Sequence, residues 1–521
     1  MNILMICTEK LPVPPIRGGA IQTYIDGVSS LLAKEHQITI LGRDDPSLET
    51  DEYMMDIRYV RIKSGTFETY ADGVKEFLRT NSFDIIHLFN RPKLVKYIRE
   101  VATDTRLVLS MHNDMFTLNK ISSEEAEETI NQLDQIVTIS NYIGKTISDL
   151  YPQAESKLKT IYSGVDIKRF VPPNSQNAQR MRKIIREENN LPNKKVILFA
   201  GRLSANKGAD ILIQAIPELA KRHPDIALII VGSKWFSDNK VSDYVAYVRA
   251  LASRLPIPVI NTGFVSPDEI QNWFAAADIF VCPSQWQEPL ARVHYEAMAS
   301  GLPIITTARG GNPEVIIPNE NGLVIENPEN PQAFTEQLDY LLSNVTQARN
   351  MGLYGRELVE ANYTWERVAS DILQVWQAIE VKIQNNIPIT TDSLVTEVDS
   401  VIQEQDIQNQ PLYLIKGEYE EDIMTNHRSR KEKLKSILLY ELSNKNSLID
   451  SLLEKIDEKA EDKYASNINQ IIQNTISELE EMIIQVDSSY QKEEANSSII
   501  NDVSTAKLYY KENSKNRRKS S

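Results

Sequence analysis

"KVILFAGRLSANKGAD", residues 195–210, is an apolar run that stops at Gly201, crosses a polar loop and turns helical near Ala209. A short buried strand, a loop and a helix form the repeating unit of a parallel sheet covered by helices. Downstream the pattern recurs in "IALIIVG", "VINTGF", "IFVCPS", "LPIITT" and "GLVI". Upstream it has already run once, in "NILMIC", "QITILG", "DIIHLF", "RLVLSMH" and "QIVTIS". Helical spacing fills the gaps, as in Ile21, Ile25, Val28, Leu31 and Leu32. The two series meet near Gly164–Asn193, where "SGVDIKRFVPP" leads into a polar, basic, helix-like run. The expectation is an α/β chain with two domains in tandem, residues 1–167 and 168–364, facing a cleft. The span Trp365–Lys382 reads as a long helix that closes the first domain.

The chain has 521 residues, 41% hydrophobic and 25% charged, a globular composition long enough for several domains. Its net charge of −15 excludes a general nucleic-acid binder, which needs a basic footprint. Cys7 and Cys282 each sit in an apolar run and read as buried thiols, with no zinc spacing. "MNILMICTEKLPVPP" lacks the form of a signal peptide, and no apolar run approaches the ~20 residues of a membrane span. These features point to a cytoplasmic protein, with peripheral membrane contact still open. From about Ile383 the composition shifts. Between Asn386 and Ser521, 17 basic and 25 acidic residues give 17 − 25 = −8. Apolar residues there, such as Leu434, Leu438 and Leu442, recur at helical spacing. Residues 383–521 are expected to form an α-helical, coiled-coil-like extension, partly disordered toward its basic end. It is either a self-packed bundle or, over 418–521, a surface for a protein partner or self-association.

In tandem α/β domains ligands bind beyond the carboxyl ends of the strands. Arg202 and Lys207 follow the strand 195–201; they are two solvated cations in a turn, or a pair that neutralises a departing diphosphate. Gly18 and Gly19, before a helix, suit close backbone approach of an anion, or an ordinary turn. His112, just past the strand in "LVLSMHND", is placed to bond a sugar hydroxyl or stabilise charge. His87 reads as structural, and Asn90 and Arg91 as facing an acceptor. In "EPLARVHYEAMASGLPIITT", residues 288–307, Glu288, Arg292 and Glu296 are two i,i+4 steps apart, the spacing of a surface ion ladder. Pro289 breaks that ladder, because it disfavours a helical Glu288 and fits the first helical position. Eight helical residues span ~12 Å, wider than the ~5–9.5 Å of a hydrolytic carboxylate pair. A ligand lying across the helix mouth suits the spacing better, with phosphates on the free N–H groups near Leu290 and Ala291.

Together "RGGAIQTY", "SMHND", "SGVDIKRF", "GRLSANKG", "GFVSPDEI" and "EPLARVHYEAMASGLPIITT" resemble, in order, the motifs of family 4 retaining glycosyltransferases of GT-B fold. The likeness covers about residues 1–382. It implies two Rossmann-like domains, acceptor first and nucleotide-sugar donor second. It implies that Glu288 binds hydroxyls of a transferred hexose-type sugar and Glu296 the ribose. Arg202 and Lys207 would hold the diphosphate, and His112 and the Gly18–Gly19 loop would line the reaction centre. The backbone near Val265 would meet the base, with Leu290 and Ala291 beside the donor. No metal and no separate cofactor are implied; the acceptor would be a carbohydrate, a lipid or a glycoprotein. The form "WQEPLARVHYEAMASGLPIITT" with "RGGNPEV" is similar to a subgroup that includes spore-coat-associated glycosyltransferases, which admits a coat location or an assembly role. A GT-B sugar-nucleotide epimerase is the other alternative. Many members carry Phe-Gly where this chain has Leu290–Ala291, and the turn after "IIVG" departs at Ser233 and Lys234.

Overall fold

The computed structural model describes residues 1–234 and 241–389. All the expected apolar runs are strands. In chain order they are β1 (Asn2–Ile6), β2 (Gln37–Arg43), β3 (Asp51–Met54), β4 (Ile57–Ile62), β5 (Ile85–Phe89), β6 (Arg106–Met111), β7 (Gln135–Thr138) and β8 (Leu158–Thr160). A second set follows: β9 (Lys195–Ala200), β10 (Ile226–Val231), β11 (Val259–Gly263), β12 (Ile279–Val281), β13 (Ile304–Thr307) and β14 (Gly322–Ile325). The first sheet has the order β3-β4-β2-β1-β5-β6-β7-β8, the second β11-β10-β9-β12-β13-β14. Every pairing is parallel except β3 with β4. That hairpin was not expected: its strands carry Asp51, Glu52, Arg58 and Arg61 and lack a continuous apolar run. It sits at a sheet edge, where one face meets water.

Order reverses between β1 and β5 in the first sheet and between β9 and β12 in the second. Each reversal opens a crevice at the carboxyl ends of the flanking strands. Helix starts elsewhere are set by local caps. Ser140 and Thr364 cap the helices Asn141–Leu150 and Trp365–Gln384, accepting N–H bonds from Ile143 and Arg367. The basic run before β9 is the helix Gln176–Glu188, and Arg182 and Arg186 close on Asp278 ahead of β12 at 2.5 and 2.6 Å.

The helix Trp365–Gln384 returns to the first sheet and packs with the helix Ala20–Leu32. Trp376 is fully buried, and its indole N–H donates to His87 Nδ1 at 3.3 Å. His87 Nε2 meets Ser110 Oγ at 2.7 Å, so both ring nitrogens serve packing, as the strand position implied. Cys7 and Cys282 are buried free thiols, and burial pushes them up to about 12 and about 11. The helical extension expected over residues 383–521 lies, from residue 390 on, outside the described residues.

Candidate active site

A cavity of about 820 Å³ lies between the carboxyl ends of the two sheets. Its walls are the segments after β1, β5 and β6 on one side and after β9 and β12 on the other, so both order reversals open into it. Five basic side chains line it, Lys10, Arg91, Arg202, Lys207 and Arg292, against the single carboxylate of Glu288. On a chain of net charge −15 that is a local inversion of sign. Low-dielectric walls concentrate such a field and favour an anionic ligand.

Glu288 is only 7% exposed. Its Oε2 accepts from Lys207 Nζ at 2.5 Å, Trp286 Nε1 at 2.7 Å and Ser284 Oγ at 3.1 Å. Burial alone would raise this carboxyl. The Lys207 charge and the three donors outweigh burial and hold it below the usual carboxylate range. All three donors fall on one oxygen, which fixes the carboxylate plane. Lys207 is delivered by the turn Ala205–Lys207, and Gly208 behind it has φ +66°. A Cβ at Gly208 would stand 2.0 Å from the Pro283 carbonyl oxygen. Gln285 N–H donates to the Asn206 carbonyl at 2.8 Å, tying the lysine loop to the glutamate turn.

On the opposite wall His112 stands edge-on to Tyr24 (ring centroids 4.8 Å apart). Its backbone N–H and that of Asn113 both donate to Asn90 Oδ1, at 3.0 and 2.9 Å. Burial, with the Arg292 charge, pushes the imidazole down to about 3, so it is neutral at pH 7. Gly19 lines the cavity with φ +109°, and a Cβ there would meet Gln22 Oε1 at 2.2 Å. Arg91 reaches the cavity while its guanidinium grips Glu9 through two bonds, at 2.6 and 2.9 Å.

Of the expected site residues, Gly19, His112, Arg202, Lys207, Glu288, Leu290 and Ala291 share this cavity. Gly18, Val265 and Glu296 are not among its lining residues. Gly18 turns the chain beside it, at φ +78°. Val265 packs against the core beneath the second sheet. Glu296 pairs with Arg292 at 3.3 Å, so that half of the i,i+4 ladder does form. The helix mouth is also not where Pro289 placed it. The helix starts at Val293, because outside partners hold the turn before it. The Glu288 carbonyl accepts from Gly311 N–H at 2.8 Å and the Pro289 carbonyl from Ser140 Oγ at 2.6 Å. The Ala291 N–H donates to Asn312 Oδ1 at 3.1 Å and is therefore already engaged.

Sequence reasoning missed Glu9, Lys10, Ser284 and Trp286. All four stand just after a strand, so the position rule that found Arg202 would have found them. It also missed Glu314, whose carboxylate spans from the second sheet to the first. It accepts from the Asn141 and Tyr142 N–H groups at 2.8 and 2.7 Å and from Tyr162 OH at 2.8 Å. Among the described residues no group of three or more His, Cys, Asp or Glu side chains is placed to hold a metal. None of the described helices is long and apolar enough to cross a membrane.

Two family descriptions match the chain: "Glycosyltransferase Family 4" over residues 17–169 and "Glycosyl transferases group 1" over residues 181–358. Spore coat protein SA of Bacillus subtilis is 45% identical over 377 residues, which is 72% of this chain and 99% of that protein. The chain belongs to the family 4 group of GT-B glycosyltransferases. Solved structures agree on the fold. Sucrose-phosphate synthase from Thermosynechococcus elongatus superposes with a TM-score of 0.61 at 21% identity, covering 73% of this chain and all of that one. Anabaena HepE in complex with UDP-glucose gives 0.59 at 20% identity with the same coverage. In this glycosyltransferase the cavity falls where the GT-B fold places its interdomain cleft.

Proposed function

We propose that this glycosyltransferase moves a hexose-type sugar from a nucleotide-diphosphate donor to a carbohydrate, lipid or glycoprotein acceptor, with retention and without a bound metal. The observation that carries the reading is the Lys207–Glu288 pair, which sets a cation and an oriented carboxylate side by side in a cationic cavity between two sheets. Arg202 and Lys207 take the diphosphate oxygens and neutralise the charge that grows as the donor bond breaks. Glu288, with Oε2 fixed, receives sugar hydroxyls. Neutral His112 offers a hydrogen bond in place of a charge. The acceptor oxygen bonds to the anomeric carbon on the face from which the phosphate leaves, and its proton passes to a leaving phosphate oxygen. No protein nucleophile is called for.

In this reading residues 1–167 with the helix 365–382 hold the acceptor, and residues 168–364 hold the donor. Glu296 is the ribose ligand in this reading, through the carboxylate oxygen that Arg292 does not hold. Gly18 supports the Gly19 loop, and Val265 lies at the edge where the base would sit. The test is nucleotide release from UDP-, GDP- and ADP-sugars with an acceptor panel, with and without EDTA. Lys207→Ala and Glu288→Ala are each expected to lower turnover. If neither does so in the presence of an active wild type, the site is misassigned. Conversion of the sugar with no acceptor, read by NMR, would mark an epimerase.

The likeness to spore coat protein SA supports a second reading, an assembly protein of the spore coat that keeps the fold without turnover. Calorimetry separates the two, because a scaffold has no need to bind nucleoside diphosphates.

A further inference from the structure

Arg292 is less well neutralised than its cavity neighbours Arg91 and Lys207. Arg91 grips Glu9 through two bonds, and Lys207 meets Glu288 at 2.5 Å. Arg292 has a single contact with Glu296, at 3.3 Å, and its Nε is buried with no hydrogen-bond partner. Only 19% of the side chain is exposed, and it is a lining residue of the cavity. A guanidinium in a low-dielectric wall with one carboxylate contact at 3.3 Å is weakly compensated, and its partly exposed end keeps room for an anion from the cavity. Its planar fork matches the oxygens of a phosphate or a carboxylate.

Direction matters as well. The second sheet's turns already supply Arg202 and Lys207 to a donor diphosphate. Arg292 comes from a different segment, the one after β12, at the start of the helix Val293–Ala299. Its guanidinium lies 5.9 Å from the ring of Trp365, which packs on the first sheet, and its charge is felt by His112 on the first sheet's wall. Lys10 and Arg91 line that half of the cavity too. We propose that Arg292 is an anion-recognising residue of the acceptor half, and that the acceptor of this enzyme carries a phosphate or a carboxylate. Glu296 serves as its counter-ion until the acceptor binds. The inference rests on the transferase reading, because it needs a donor in the other half.

The test uses the full chain saturated with whichever of UDP, GDP or ADP binds it, which fills the donor phosphate positions. Inorganic phosphate is then titrated by calorimetry, followed by a hexose 6-phosphate and the matching free hexose. Phosphate should bind this complex, and the hexose 6-phosphate should bind more tightly than the free hexose. Arg292→Gln should weaken both anions by about 10- to 100-fold, the range of one charged hydrogen-bonding contact, with nucleotide affinity unchanged. Arg292→Lys keeps the charge and loses the fork; it should weaken them less, and it reports if the glutamine variant does not fold. Three results overturn the proposal: no phosphate binding once nucleotide is bound, equal binding by wild type and both variants, or variants that weaken the nucleotide instead. Failure of every nucleoside diphosphate to bind wild type would instead sink the transferase reading.

Discussion

Removing Lys207 should destabilise the protein as well as inactivate it, and the two losses should separate. Glu288 is 9% exposed at its side chain and Lys207 17%, so the pair is largely out of water. Deleting one partner of such a pair typically costs about 3–5 kcal/mol, because a charge is left buried without its counter-ion. Here the carboxylate keeps Trp286 and Ser284 as donors, which places Lys207→Ala near the low end, at about 3 kcal/mol. For a cooperative unit of 150–250 residues each kcal/mol lowers Tm by about 2–4 °C, so a drop of roughly 6–12 °C is expected. Adding Glu288→Gln removes the stranded charge and should recover part of that stability. Turnover should not recover, since the diphosphate still lacks its cation; losing one such group costs about 10²–10³-fold in kcat. Thermal unfolding and nucleotide release on the wild type, both single variants and the double variant complete the cycle. If Lys207→Ala and the double variant melt together, with coupling under about 0.5 kcal/mol, the pair is not the buried unit described and the argument fails.

Gly208→Ala must place a Cβ 2.0 Å from the Pro283 carbonyl at φ +66°. A left-handed alanine alone costs about 1–2 kcal/mol, so denaturant midpoints should fall by more than that and donor binding should weaken with them. Glu314→Ala strips the acceptor from two N–H groups at the start of the helix Asn141–Leu150 and from Tyr162 OH. A loss of about 1–2 kcal/mol is expected, with the two sheets melting less cooperatively by calorimetry; an unchanged melting profile would refute that role. His87, His112 and His294 are pushed down by burial to about 3, about 3 and about 4. Their folded pKa values lie below the ordinary 6.5, so the unfolded chain binds more protons. Stability is therefore full above about pH 6.5 and is lost as pH falls toward 4, by up to about 1.4 kcal/mol per pH unit for each histidine. Unfolding midpoints from pH 7.5 to 4.5 check the slope, and imidazole NMR should show all three neutral at pH 6.

The two-sheet plan was legible because buried parallel strands announce themselves as apolar runs, "KVILFAG" and "IALIIVG" above all. The β3–β4 hairpin was not, because β3 is half exposed and β4 carries Arg58 and Arg61 among its apolar residues, which breaks that signal. Among candidate site residues, His112, Arg202, Lys207 and Glu288 lie in loops that follow strands, and that position together with the family resemblance marked them; all four line the cavity. What sequence could not supply was direction. Leu290 and Ala291 line the cavity, yet the Ala291 amide faces Asn312, a partner 21 residues away that no local pattern selects. Glu296 keeps the helical spacing of the ladder to Arg292, and the two pair at 3.3 Å.

The question of how Glu288 leaves that ladder has a nonlocal answer. Proline before the helix disfavours a helical Glu288, but it does not aim the side chain into the cavity. Lys207, Trp286 and Ser284 aim the side chain, and the backbone turn that follows it is tied at Pro289 to Ser140, 149 residues earlier. Its hydroxyl accepts the Ile143 N–H, which caps the helix Asn141–Leu150, and donates to the Pro289 carbonyl, which pins the glutamate turn. One O–H thus fills an orphan donor of a first-sheet helix and fixes the backbone that carries Glu288 from the second sheet. The Glu314 carboxylate repeats the device next to it, from the opposite direction. The turn between Glu288 and the helix is therefore tied to both sheets, and any motion that parts them must break the Ser140–Pro289 bond and the Glu314 bonds to Asn141 and Tyr142.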